Sequence, residues 1–202
     1  MEPTDAALLD AWRAGQEAAG EELFRRHFPA IARFFRNKVS GDIEELIQAT
    51  FLGCIESHTR LRDGGSFRGF LFGLARNNLY NHYRRAQTRG VAFDVEQVSL
   101  HDLGPTASTI IANDQEQRLL LAALVRLPLP HQLVIEFAYW EDMTLAEIAE
   151  AMDVPVGTAA TRLRRAKQLL AEKMAELTTS TELRASISSG FETWARGLRD
   201  HR

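Results

Sequence analysis

Apolar residues recur at three- and four-residue steps from Thr4 to Gly90: Leu8, Leu9 and Trp12, then Leu23, Phe24, Phe28, Ile31, Phe34 and Phe35. That period is helical, and no strand-like alternation competes with it. Thr4 and Asp5 supply an N-cap ahead of the first run. The stretch "VSGD" around Gly41 stops one helix and offers Asp42 as cap of the next, expected over Asp42 to His58. Gly64 and Gly65 break the pattern, and Ser66 caps a further helix through "FRGFLFGLARNNLYNHYRRAQ", aromatic on one side and basic at its end. Most of Phe67, Phe70, Phe72 and Leu74 are expected in the core, because aromatic stripes at helical spacing pack inward.

A second helical block begins near Asn113 with Leu119, Leu120, Ala123, Leu124 and Leu127, is punctuated by Pro128 and Pro130, and continues in "HQLVIEFAYWE". Then comes "TLAEIAEAMDVPVGTAATRLRRAKQLL". Thr144 and Glu147 have the spacing of a capping box. Leu145, Ile148, Ala149 and Met152 are expected to face inward, "DVPVGT" makes the turn with Thr158 as cap, and Leu163, Ala166 and Leu170 continue the buried stripe. Arg162, Arg164, Arg165 and Lys167 take the remaining faces. This is the layout of a helix-turn-helix, whose second helix enters the major groove while flanking cations hold phosphates. A solvated basic face explains the charges alone, but not the capping box, the turn and the small residues Gly157, Ala159 and Ala160.

Composition narrows the function. The 202 residues carry 24 Lys and Arg against 27 Asp and Glu, a net charge of -3, so contact with nucleic acid must be local rather than a general coating of phosphate. A single cysteine, Cys54, excludes an internal disulfide framework, and on an apolar helix it reads as a buried thiol. The six histidines lack the paired spacing of a metal site. No metal, cofactor, nucleophile motif or phosphate loop is expected, hence no enzyme. Acidic residues near the start and the lack of a long apolar run predict no signal peptide and no membrane insertion, with a cytoplasmic location.

Val91 to Ile111 contains Asp94, Glu96 and Asp102 with no lysine or arginine, beside Gly104 and Pro105, and reads as a flexible linker. The expected architecture is all-α: two small helical domains, 1–90 and 113–177, a linker over 91–112 and an extension over 178–202. In that extension Leu183, Ile187, Phe191, Trp194 and Leu198 form an apolar helical stripe. Either it packs on the second domain, or it meets the first domain or a regulator.

The stretch "GDIEELIQATFLGCIESHTRLRDGGSFRGFLFGLARNNLYNHYRR" resembles domain two of bacterial extracytoplasmic-function sigma factors, and the helix-turn-helix resembles their domain four. The likeness spans about Asp5 to Leu177 in the right order. It implies a transcription initiation factor that binds core RNA polymerase, recognises −35 and −10 promoter elements and promotes melting. By that resemblance Asp42, Glu44, Glu45 and Gln48 dock on the clamp helices of the largest polymerase subunit, with a second contact to its flap. Leu46, Ile47, Phe51 and Leu52 point into the domain's own core. The −10 candidates are Arg76, Asn77, Asn81, Arg84 and Arg85, joined by Arg60, Arg62 and Asp63 in the loop that holds a flipped base. The −35 candidates are Gly157, Thr158, Ala160, Thr161, Arg162, Arg164, Arg165 and Lys167. An anti-sigma partner is also implied, as is a linker that threads the polymerase cleft, though a plain polar tether has the same letters.

Where the family pattern has glutamate, this chain has Ala49, and Asn81 replaces an aspartate, adding a donor. Ala160 stands where the recognition helix usually carries lysine, which removes roughly one phosphate contact. The rival reading is a helix-turn-helix regulator that acts on DNA without polymerase docking.

Overall fold

A computed structural model describes residues 2–61, 65–86, 94, 97–101 and 115–178. Among these the chain forms α1 (Asp5–Arg13), α2 (Glu17–Arg36), α3 (Glu44–Ser57), a 3-10 turn (His58–Arg60), α4 (Phe67–Ala86), α5 (Gln115–Leu124), α6 (Leu129–Tyr139), α7 (Leu145–Met152) and α8 (Val156–Leu177). The all-α expectation holds. The extension from 179 onward, with its stripe from Leu183 to Leu198, lies outside the described residues.

Local chemistry explains the ends. The Thr4 hydroxyl accepts from the Ala7 amide at 3.2 Å to start α1, and the left-handed Gly15 (φ +92°) turns the chain into α2. Gly20 is required for close packing, since a Cβ there would lie 2.7 Å from the Trp12 indole. Trp12 in turn stacks on His58 with centroids 3.8 Å apart. Gly41 (φ +103°) ends the passage from α2, and the Asp42 carboxylate accepts from the Glu44 amide at 2.8 Å to open α3. The Ser66 hydroxyl accepts from the Gly69 amide at 3.2 Å and caps α4.

Helices α1–α4 enclose Leu23, Ile31, Phe35, Cys54, Leu71 and Leu79, all completely buried. Helices α5–α8 enclose Leu124, Leu133, Phe137, Ala166, Leu170 and Met174 in the same way. The two groups also share a core. Phe34 of α2, Phe72 of α4 and Phe137 of α6 meet with centroids 5.3–6.1 Å apart. Beneath them Lys38, 1% exposed, donates to the Glu136 carboxylate, 4% exposed.

Part of the stretch read as a linker is anchored. Ser99 and Pro128 form an isolated β-bridge, Leu100 is completely buried, and the His101 amide donates to Val125 O at 2.9 Å. One apolar side chain and a few backbone bonds therefore tie residues 97–101 to the α5–α6 turn.

Leu145 and Thr158 are placed otherwise than their sequence predicts. Leu145, expected inward, is 41% exposed because it occupies the first turn of α7 ahead of the buried Ile148 and Met152. Thr158, expected as a cap, lies inside α8, which starts at Val156 directly after Pro155; proline pre-sets the helical entry two residues earlier. Replacing Phe35 by alanine is expected to cost about 3–5 kcal/mol in urea unfolding, whereas Leu145→Ala is expected to stay within about 0.5 kcal/mol. A large loss at Leu145 would return it to the core.

Candidate nucleic-acid interface

The helix-turn-helix is built as its local signals require. The Glu147 amide donates to the Thr144 hydroxyl at 3.3 Å and the Thr144 amide donates to the Glu147 carboxylate at 2.8 Å, completing the capping box. Burial works to raise the Glu147 carboxyl, but the hydrogen bonds from Thr144 and Ser66, with the nearby Arg68 charge, outweigh it and hold the pKa below the usual carboxylate range. Asp153, left-handed at φ +54°, terminates α7.

On α8 the buried stripe is Ala159, Ala166, Leu170 and Met174. Gly157, Thr158, Thr161, Arg164 and Arg165 are exposed, while Ala160, Arg162 and Lys167 are half-buried. Ala159 is completely buried, so its small size serves packing rather than approach to a groove. Arg165 pairs with Glu172 at 3.5 Å with both side chains about half exposed (52% and 57%); such a solvent-screened pair yields easily to a phosphate. Lys167 lies over the Tyr139 ring, 5.2 Å from its centroid. All eight −35 candidates thus share one helix, with the neutral residues leading and the cations following.

On α4, Asn77, Arg84 and Arg85 are exposed, and the half-buried Asn81 accepts from Arg84 at 2.7 Å. Asn78 instead donates to the Thr50 hydroxyl at 3.0 Å and braces α4 against α3. Phe67 and Phe72 are buried as expected. Arg76 departs from its expected role as a presented cation. It is only 8% exposed, bonded to Asn77 Oδ1 at 2.9 Å and held over Tyr80. Burial lowers its pKa, Tyr80 and Asp153 oppose that shift, and Arg162 adds to it. The cause is packing: α4 lies against the helix-turn-helix, and Arg76 sits in the seam. Arg60 falls in the 3-10 turn, with its side chain outside the described residues, as are Arg62 and Asp63 entirely.

The acidic candidates Asp42, Glu44, Glu45 and Gln48 are all exposed at the start of α3. The same helix carries a feature that periodicity missed. Leu52, predicted to face inward, is 49% exposed, as is Ile55, and Phe28 of α2 is 51% exposed. Phe28 stacks on Phe51, which packs on Phe24. Leu46, Ile47, Phe51, Leu52, Cys54 and Ile55 cover too wide an arc for one core-facing stripe, and that excess was the available signal. Among the described residues no cluster of His, Cys, Asp and Glu could hold a metal, and no helix is long and apolar enough to cross a membrane.

Residues 23–89 match Sigma-70 region 2 and residues 117–170 match Sigma-70, region 4. Similar proteins include the ECF RNA polymerase sigma-E factor of Haemophilus influenzae, 26% identical over 86% of this chain and 97% of that one. ECF RNA polymerase sigma factor SigM of Mycobacterium tuberculosis is 27% identical over 91% of each chain, and RNA polymerase sigma factor CarQ of Myxococcus xanthus is 28% identical over 84% and 97%. The fold is that of CnrH, solved in complex with the cytosolic domain of CnrY, at a TM-score of 0.60 and 20% identity over 86% of this chain and 99% of that one. Two such regions in this order define a sigma transcription initiation factor. The chain belongs to the extracytoplasmic-function group of the sigma-70 family. Such factors work with core RNA polymerase and promoter DNA, and they regulate transcription rather than act as classical enzymes.

Cys54 has no part in this chemistry. It is completely buried in α3, and burial pushes its thiol up to about 12. In the native chain at pH 8 a thiol reagent is therefore expected to leave Cys54 unlabelled, with one equivalent reacting in denaturant. Rapid native labelling would contradict the buried placement.

Proposed function

We propose that the three surfaces divide the work of initiation. The start of α3, with Asp42, Glu44, Glu45 and Gln48, and the neighbouring patch of Phe28, Leu52 and Ile55 dock on the clamp helices of the largest polymerase subunit. A basic, partly apolar helical partner satisfies both the carboxylates and the exposed hydrocarbon. The α4 surface of Asn77, Asn81, Arg84 and Arg85, with Arg60, Arg62 and Asp63 beside it and Arg76 once uncovered, reads and melts the −10 element. Gly157, Thr158, Ala160, Thr161, Arg162, Arg164, Arg165 and Lys167 read the −35 element, while the second domain meets the flap. Residues 1–90 and 113–177 act as the two domains, 91–112 as linker and 178–202 as extension. The protein works in the cytoplasm, and an anti-sigma partner holds it in reserve, as the pairing of CnrH with CnrY suggests.

The observation that carries the docking assignment is the exposed Phe28–Leu52–Ile55 patch next to the acidic start of α3. Clustered apolar exposure of this kind marks an interaction surface, and a helix-turn-helix regulator acting on DNA alone has no use for it. The test is transcription by core polymerase with and without the protein on a genomic promoter library, read as new RNA starts sharing two upstream motifs. Binding of the Leu52→Asp and Glu44→Lys/Glu45→Lys variants to core polymerase is expected to weaken by about 2–4 kcal/mol, with unchanged helicity. Undiminished binding would move the docking surface elsewhere. In the same holoenzyme Ala160→Lys is expected to steepen the salt dependence of promoter binding by about one unit and Arg164→Ala to flatten it by about one. Identical slopes would remove α8 from the phosphate contacts.

A further inference from the structure

Helix α1 lies ahead of residues 23–89, the stretch that matches Sigma-70 region 2, and none of the three proposed surfaces includes it. It is nonetheless fixed at both ends. At its start His27 Nε2 lies 2.6 Å from the Asp5 carboxylate, which also receives Arg26 at 3.2 Å, and Arg26 donates to Pro3 O at 2.8 Å. At its end the Trp12 indole occupies the space over Gly20, where a Cβ would stand 2.7 Å from the ring, and meets Phe24 edge-on at 5.4 Å. A helix pinned to α2 in this way is a rigid mount for the side chains it carries.

The last two of those side chains reach the same turn. Trp12 lies flat on the His58 ring, with centroids 3.8 Å and planes 9° apart. Arg13 donates to the Leu61 carbonyl oxygen. His58 opens the 3-10 turn and Leu61 caps it, so α1 grips the turn at both of its ends. His58 is itself oriented, because its Nδ1 donates to Ile55 O at 2.8 Å, and Leu61 is buried. The grip matters because the turn has little strength of its own. A 3-10 segment has poorer hydrogen-bond geometry than an α-helix. The bond that closes this one, from the Leu61 amide to His58 O, is 3.4 Å long, beyond the usual N–H···O range.

The turn contains Arg60 and leads in sequence to Arg62 and Asp63, the residues proposed to hold the flipped base. Recognition of that kind needs its groups held to within about 0.5 Å, and a side chain carried on a weak turn takes its place from whatever the turn rests on. We propose that α1 is the positioning element for this part of the −10 surface: Trp12 through His58, and Arg13 through Leu61 O, set the place of the turn and with it the base preference at the −10 element. Neither residue needs to touch DNA itself. The idea rests on the assignment of Arg60, Arg62 and Asp63 to that element.

Three variants of the full chain test it. Trp12→Ala removes the stack, Arg13→Met removes the donor while keeping the hydrocarbon stem, and Arg13→Lys restores a donor. Without polymerase, trypsin is expected to cut after Arg60 about tenfold faster in Trp12→Ala and Arg13→Met than in wild type or Arg13→Lys, because local opening of the turn exposes that bond. Arg13→Met is expected to keep its circular dichroism and urea midpoint, which separates loosening of the turn from misfolding. Equal cleavage rates in all these proteins would overturn the grip. With core polymerase, initiation is read on promoters carrying each base in turn at every −10 position. The ratio of best to worst base is expected to fall about tenfold in Trp12→Ala and Arg13→Met, since misplacement by a fraction of an ångström suffices for such a loss, and to return in Arg13→Lys. Polymerase binding and −35 preference are expected unchanged. Equal loss on every promoter with an unaltered ratio is the mark of a merely structural role and would overturn positioning. In the triple variant Arg60→Ala/Arg62→Ala/Asp63→Ala the ratio is expected to be lost outright. Should it persist there, the assignment of these residues to the flipped base falls, while cleavage after Arg60 still decides whether α1 holds the turn.

Discussion

The buried pair of Lys38 and Glu136 is the constraint around which the rest is arranged. Removing each ion from water costs several kcal/mol, and the protein offsets that cost with a full set of partners. The Lys38 ammonium lies 4.1 Å from the Phe34 ring centroid and bonds Phe34 O as well as Glu136, while Gln132 donates to the other Glu136 oxygen at 2.7 Å. The Tyr83 hydroxyl donates to Lys38 O, so the turn after α2, the end of α4 and α6 are tied at one point. Sliding the halves would strand at least one charge. The aromatic contact of Phe34, Phe72 and Phe137 shares that alignment, as does the close approach of α4 to α7 at Gly69, where a Cβ would lie 3.0 Å from the Glu147 carbonyl oxygen.

The surfaces left outside this seam differ in kind. The face of α3 is acidic and apolar, suited to a protein. The exposed Thr158, Thr161, Arg164 and Arg165 of α8 and Asn77, Arg84 and Arg85 of α4 are hydroxyl, amide and cationic, suited to nucleic acid. Because the chain as a whole is negative, its affinity for DNA depends on these few cations being presented together and correctly spaced. In the proposed function, attachment to polymerase supplies that presentation, because it makes the second binding step intramolecular.

What the sequence revealed was the local chemistry. The capping box at Thr144 and Glu147, the cap at Thr4 and the helical period through α2 depend on residues three or four apart, and all appear as read. What it concealed was tertiary. Lys38 and Glu136 are 98 positions apart, and each looks like an ordinary solvated charge, one in the turn after α2 and one on α6. Arg76 sits in a basic, polar run that pointed to DNA, but a neighbouring helix covers it. Leu52 was assigned inward because it is apolar, although the arc it shares with Ile55 is wider than one core can cover. Thr158 failed as a cap because Pro155 already begins the helix.

The position of Arg76 shows the same rule acting on a single cation. It is only 8% exposed, and burial lowers its pKa, with Tyr80 and Asp153 opposing that shift and Arg162 adding to it. Its partners lie on its own helix, the Asn77 Oδ1 that accepts at 2.9 Å and the Tyr80 ring beneath it, whereas Lys38 and Arg33 find carboxylates on the other half of the chain. A cation is kept away from water only where such partners offset its lost hydration, so Arg76 holds its place by local contacts while Lys38 and Arg33 hold the two halves in register.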